Sequence, residues 1–131
     1  MGIEGESLMG LGGGEEHVAM RIHILDLPAE PWQIAEMLEA NDPFIKVAVD
    51  LELGLLAGGG EWHADCERAL MEAGSRQENV WGGDWDPQKR LVRYESLINI
   101  RPRQGNFTTE LADPKLRKHL SEIVLRLMDI R

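Results

Sequence analysis

Residues 44–51 alternate along their whole length. Ile45, Val47, Val49 and Leu51 fall on one side, Lys46, Ala48 and Asp50 on the other, and Glu52 continues the second set. A period of two sends successive side chains to opposite faces, so this stretch can only be used well as a strand. Glu52-Leu53-Gly54 then reads as a tight turn, with Leu55, Leu56 and Ala57 returning as an antiparallel partner. A hairpin in mid-chain needs something apolar against its greasy side.

Amphipathic helices supply it. Asp113 is placed to cap a last helix whose first turn holds Pro114, and Leu116, Leu120, Ile123, Leu127 and Ile130 make one stripe along it. A short helix is expected over Asp65–Ala73, with Asp65 as N-cap, Cys66, Ala69, Leu70 and Ala73 as its apolar face, and Gly74 after its end. A third begins at Pro31, with Ile34, Ala35, Leu38 and Trp32 for its stripe. Met20–Leu25, Val80–Trp85 and Leu91–Arg101 read as further strands, the last two joined by a turn at Asp86-Pro87. The order β-α-β-β-α-β-β-α predicts an α+β fold: an antiparallel or mixed sheet of about five strands with three helices packed on it.

Met1–Gly14 holds six of the fourteen glycines and too little apolar surface to offset the entropy of ordering it. Residues 1–17 are therefore expected to be a disordered tail, and 18–131 a single domain. The 131-residue chain suits one core. A net charge of −9 speaks against a nucleic-acid binder or a polybasic membrane surface, and such acidity serves solubility. No run approaches the roughly 18 apolar residues of a membrane span, no secretory signal is legible, and the single cysteine forbids an internal disulfide. A cytoplasmic protein is expected.

Chemistry is densest at Gly58-Gly59-Gly60-Glu61-Trp62-His63-Ala64-Asp65-Cys66-Glu67. Glycines at a strand-to-helix turn let a ligand approach the backbone, and helix-start amides attract anions. His63, with a reference pKa near neutrality, is a candidate base with Asp65 as its partner. Equally, Asp65 simply caps, Glu67 favours the dipole, and His63 packs. The spacing is neither a P-loop nor a dinucleotide fingerprint. Glu61, His63 and Asp65 on one strand face, with Asp50 or Glu52 across the hairpin, would form a mixed carboxylate–imidazole metal site. Cys66 reads as a nucleophile at a helix start or as a buried structural thiol.

A second constellation is Ser96–Asn106, in which Asn99 and Arg101 point away from Ile98 and Ile100 if the segment is a strand. Arg101 with Asn99 and Asn106 could grip a carboxylate or phosphate, or Arg101 could pair internally with Asp50 or Glu61. Trp81 and Trp85, flanking Gly82-Gly83, would share a face as core or as a partner surface.

The blocks 49–52, 59–67, 74–77, 80–82 and 96–102 together resemble a small prokaryotic family, domain of unknown function 5674. The likeness runs from about Met20 to Ile130, and Gly83-Asp84 departs from the strand continuation expected after Trp81-Gly82. The resemblance implies a single-domain prokaryotic protein and supplies no activity, cofactor or catalytic residue. The residues favour a non-catalytic binding or interaction domain. Its polar face would hold Gly59, Gly60, Asn99 and Arg101 for a small anionic ligand or a protein partner, and its hairpin edges offer a route to a homodimer. The alternative is a small hydrolase-like enzyme with His63 as base, Asp65 or Glu61 as orienter or metal ligand, and Arg101 as anion clamp. The sequence names no cofactor.

Overall fold

The computed structural model describes residues 21–130. The tail expected over 1–17, with residues 18–20, lies outside the described residues. Five strands form one sheet: β1 (His23–Leu25), β2 (Ile45–Asp50), β3 (Leu55–Gly58), β4 (Val80–Asp86) and β5 (Leu91–Arg93). Their spatial order is β1-β3-β2-β4-β5 and every neighbouring pair is antiparallel. The helices are α1 (Pro31–Leu38), α2 (His63–Glu72) and α3 (Pro114–Met128). This is the α+β architecture the alternation and the caps predict.

Two cores sit on the two faces. On one, Ile45, Val47, Val49, Leu56, Trp81 and Trp85 pack against Met37 of α1 and Leu120, Ile123, Val124 and Leu127 of α3. On the other, Ala48, Ala57 and Val80 meet Cys66 and Leu70 of α2. Small side chains line that second face because α2 lies directly over the three central strands. Thus the side of β2 that carries Lys46, Ala48 and Asp50 is covered too: Asp50 is fully buried. Its Oδ1 accepts the N–H groups of Glu52 and Leu53, tightening the β2–β3 turn, while Oδ2 accepts the Ser75 hydroxyl at 2.6 Å. A buried carboxylate with three donors is well satisfied.

α3 follows its sequence signature: Asp113 accepts Lys115 N–H at 2.8 Å and Pro114 takes the first turn. α1 departs from its expected stripe. Met37 is its buried residue, whereas Trp32 and Ala35 face water. The largest departure concerns the strand expected over Leu91–Arg101. β5 ends at Arg93, and the chain turns through short 3-10 segments at Leu97–Asn99 and Pro102–Gln104. Pairing stops because Ser96 N–H and Tyr94 C=O bond to Thr109 C=O and Leu111 N–H, outside the sheet.

Gly83 lies just before the residues of β4 that pair with β5. A Cβ there would lie 2.4 Å from the Arg93 carbonyl oxygen, a backbone atom that cannot step aside. Gly83→Ala is expected to lose roughly 1–3 kcal/mol of stability through overpacking, read as a lower urea midpoint with an unchanged m-value.

Candidate functional site

The Gly58–Glu67 turn is built by steric need. Gly59 has φ +99°, and a Cβ on it would fall 2.5 Å from the Arg21 carbonyl oxygen and 2.8 Å from Met37 Cγ. Gly60 is held by its carbonyl, which accepts Asn41 Nδ2–H at 3.1 Å. The helix then starts at His63, two residues before the expected boundary, with Trp62 at the N-cap position. Asp65 is therefore not the cap. It is the third helical residue, and its Oδ2 reaches back to accept Trp62 N–H at 3.2 Å, the reaching-back half of a capping box.

That start places His63 against β4. Its Nε2 lies 2.9 Å from Gly83 O and 3.0 Å from Asp84 Oδ1. A carbonyl oxygen can only accept, so Nε2 carries the proton and Nδ1 is the basic nitrogen of the neutral ring. Both side chains are mostly withdrawn from water. Asp84 is flanked in register by Lys46 on β2 and Arg93 on β5; the Arg93 guanidinium stacks over Phe44, 4.7 Å from the ring centroid. Asp84 is the residue that sequence reasoning missed as His63's partner. The available signal was the Gly83-Asp84 departure, an acid in mid-strand beside two glycines.

Glu61, His63 and Asp65 do not gather on one strand face. Glu61 is exposed in the turn, His63 faces Asp84, and Asp65 is spent on Trp62. Asp50 is bound to Ser75 and its own turn, and Glu52 is exposed. Among the described residues no three His, Cys, Asp or Glu side chains are grouped to hold a metal ion. Cys66 is fully buried, its Sγ 3.5 Å from Lys46 O, and burial pushes its thiol pKa up to about 12. A thiol so placed is inert, not a nucleophile.

Asn99 and Arg101 do not point away from Ile98 and Ile100 as strand neighbours. Asn99 is fully buried, with Oδ1 accepting Gly82 N–H at 2.8 Å and Nδ2 donating to Gly82 O at 3.0 Å. It imitates a peptide group of the missing strand. Gly82 has to be glycine for this approach, since a Cβ would sit 2.7 Å from the Ser96 side chain. Asn106 in turn donates to Asn99 O, Thr108 O and Glu110 O. Arg101 donates to Ile98 O, Gln77 O, Gln104 Oε1, Glu67 Oε2 and Val80 O. All five guanidinium N–H groups are committed. Its ion-pair partner is Glu67, at 3.2 Å, and neither Asp50 nor Glu61. Burial lowers the Arg101 pKa, with Glu67 opposing the shift; the side chain also lies over Trp81, 4.6 Å from the centroid.

His63 and Arg101 do not share a pocket. Asp84, which holds the first, and Val80, whose carbonyl takes the second, stand four residues apart on β4, about 13 Å along the strand. What Arg101 does border is a groove of about 540 Å³ between α2 and the 97–104 segment, lined by Leu97, Ile98, Ile100, Arg103 and Gln77 among others. Leu97 is 74% exposed and Ile100 45%.

The family model described as protein of unknown function DUF5674 matches residues 23–127, so the chain belongs to that family. No curated protein and no solved structure matches.

The raised Cys66 pKa gives a pH prediction. Below about pH 9 the thiol is protonated in folded and unfolded chains alike; between about 9 and 12 only the unfolded chain loses the proton. Stability is therefore expected to fall as pH rises through that window, by at most about 1.4 kcal/mol per pH unit from this group. Denaturation midpoints of wild type and Cys66→Ala, measured from pH 8 upwards, check it: the variant should show the shallower decline.

Proposed function

We propose that the protein is a non-catalytic interaction domain that presents the 97–104 groove to an apolar segment of a partner protein. The supporting observation is how the 97–106 segment spends its polar groups. Asn99, Arg101 and Asn106 all bond inward, which fixes the backbone and leaves Leu97 and Ile100 held in water. Fully covering an exposed Leu gains about 1.5–3 kcal/mol, the half-exposed Ile100 correspondingly less, and a preordered loop loses little entropy on binding. Arg103 stands at the groove in an acidic protein and makes no ion pair among the described residues. An acidic residue beside the partner's apolar side chains is its complement.

The test is a peptide-display selection against immobilised wild type and Leu97→Asp. Enriched sequences are expected to combine apolar residues with Asp or Glu, to bind at least tenfold more weakly to Leu97→Asp, and to lose their acid preference on Arg103→Glu. No enrichment, or equal binding to the variants, counts against this reading. A wild type that sediments as a dimer, and a Leu97→Asp that does not, would make the occupant a second copy of the chain.

The His63–Asp84 contact supports a second reading, a small hydrolase-like enzyme. Asp84 fixes the ring through Nε2–H and leaves Nδ1 as a base, while Lys46 and Arg93 stand on either side of the carboxylate. Arg101 has no donor left for a substrate, so the anion clamp of such an enzyme would fall to Lys46 or Arg93. Turnover of p-nitrophenyl acetate or p-nitrophenyl phosphate that vanishes in His63→Ala, with the fold intact by circular dichroism, would establish it; turnover that survives removes it.

A further inference from the structure

Trp85 presents a separate problem, on the opposite face of the sheet from α2. It is 1% exposed, and among the described residues its indole Nε1 is the buried side-chain nitrogen or oxygen with no hydrogen-bond partner. Buried indole N–H groups ordinarily find an acceptor, and leaving one unpaired is costly. Trp85 also lines a cleft of about 260 Å³ with Pro31, Ile34, Pro87, Met128 and Ile130, where α1, the β4–β5 turn and the end of α3 meet.

The polar part of that cleft is the ion pair Arg90–Asp129. Arg90 Nε and Nη2 donate to the two Asp129 oxygens at 2.9 and 2.7 Å, a two-pronged grip that neutralises both charges. Arg90 adopts φ +55°, the left-handed region that favours glycine. Its backbone strain is tolerated at the position whose side chain ties the turn to the end of α3 and closes one wall of the cleft.

We propose that this cleft binds a small, mostly apolar molecule carrying one acceptor oxygen, which takes the Trp85 Nε1–H hydrogen bond. The apolar walls would hold the body of the molecule. The already neutralised Arg90 makes a carbonyl the better match than a carboxylate. A water bridge is disfavoured, because the walls other than Arg90 and Asp129 offer it few polar partners. Nε1 is withdrawn from water, so a molecule in the cleft reaches it when a wall side chain yields. Met128, unbranched and with three rotatable bonds, is the wall residue suited to that. The size favours a single ring over a nucleotide, since about 260 Å³ lies just below the usual range of ligand pockets.

The experiment follows the tryptophan indole resonances of the ¹⁵N-labelled full chain while benzamide is added, with benzoate and toluene as companions. Trp85→Phe assigns the Trp85 signal by its disappearance. Benzamide is expected to shift the Trp85 indole proton downfield and saturably, with Kd on the order of 1 mM, as befits so small a ligand. The resonances of Trp32, Trp62 and Trp81 should stay in place. A downfield shift with benzoate would support the same site and assign it a carboxylate. Ile130→Trp, which fills the cleft from a half-buried position and leaves the Trp85 residue itself unchanged, should weaken binding at least tenfold. A Trp85 resonance that does not move overturns the proposal. So does an equal response to toluene, or undiminished binding by Ile130→Trp. None of these readouts involves the 97–104 groove, so this proposal and the interaction reading fail separately.

Discussion

A strand longer than its neighbour sets the terms for much of this molecule. β4 runs over seven residues, but β5 pairs only with Asp84–Asp86. The first part of β4 therefore has an outer edge whose backbone groups must find other partners, because buried N–H and C=O groups are seldom left unpaired. Asn99 supplies both bonds for Gly82, and Arg101 takes the Val80 carbonyl. With those side chains turned inward, the segment from Ser96 to Asn106 becomes a fixed cover on the edge. It also protects that edge from pairing with another chain, a hazard that proteins commonly manage with loops or charges.

Function follows from how polar groups are allocated. Arg101 and Asn99 look like ligand-gripping residues, yet tertiary structure spends them on the backbone. What remains at that end of the sheet is an apolar groove with Arg103, a cation that makes no ion pair among the described residues. At the other end, the start of α2 brings His63 to Asp84 between Lys46 and Arg93. The two ends are separated along β4, so a reaction needing His63 and Arg101 together has no place to occur. The groove and the His63–Asp84 contact are thus separate features of the fold.

The two faces of the sheet differ in kind. Large side chains fill the side covered by α1 and α3, and small ones fill the side under α2. Close packing explains the contrast, since a helix lying directly over three strands leaves room for small residues such as Ala48 and Ala57. It also explains why Cys66 is a structural thiol despite standing near a helix start. Desolvation outweighs what the helix dipole offers it.

Local patterns determined much of the architecture. Alternation over 45–52 specified β2 and its hairpin, Asp113-Pro114 specified the start of α3, and Gly74 the end of α2, because each depends on residues within a turn or two. Family membership was legible as well, from a series of short blocks. The sequence misled where its signal was compatible with two answers. Ile98 and Ile100 alternate as a strand would, but the Asn99 side chain takes both backbone bonds of Gly82, seventeen residues away, in place of a strand. The allocation of His63 to Asp84, of Arg101 to Glu67 and Val80, and of Asp50 to Ser75 was decided only in three dimensions. Such pairings depend on strand order and register, and a side chain's choice among several charged partners is settled by which of them the packed backbone brings within about 3 Å.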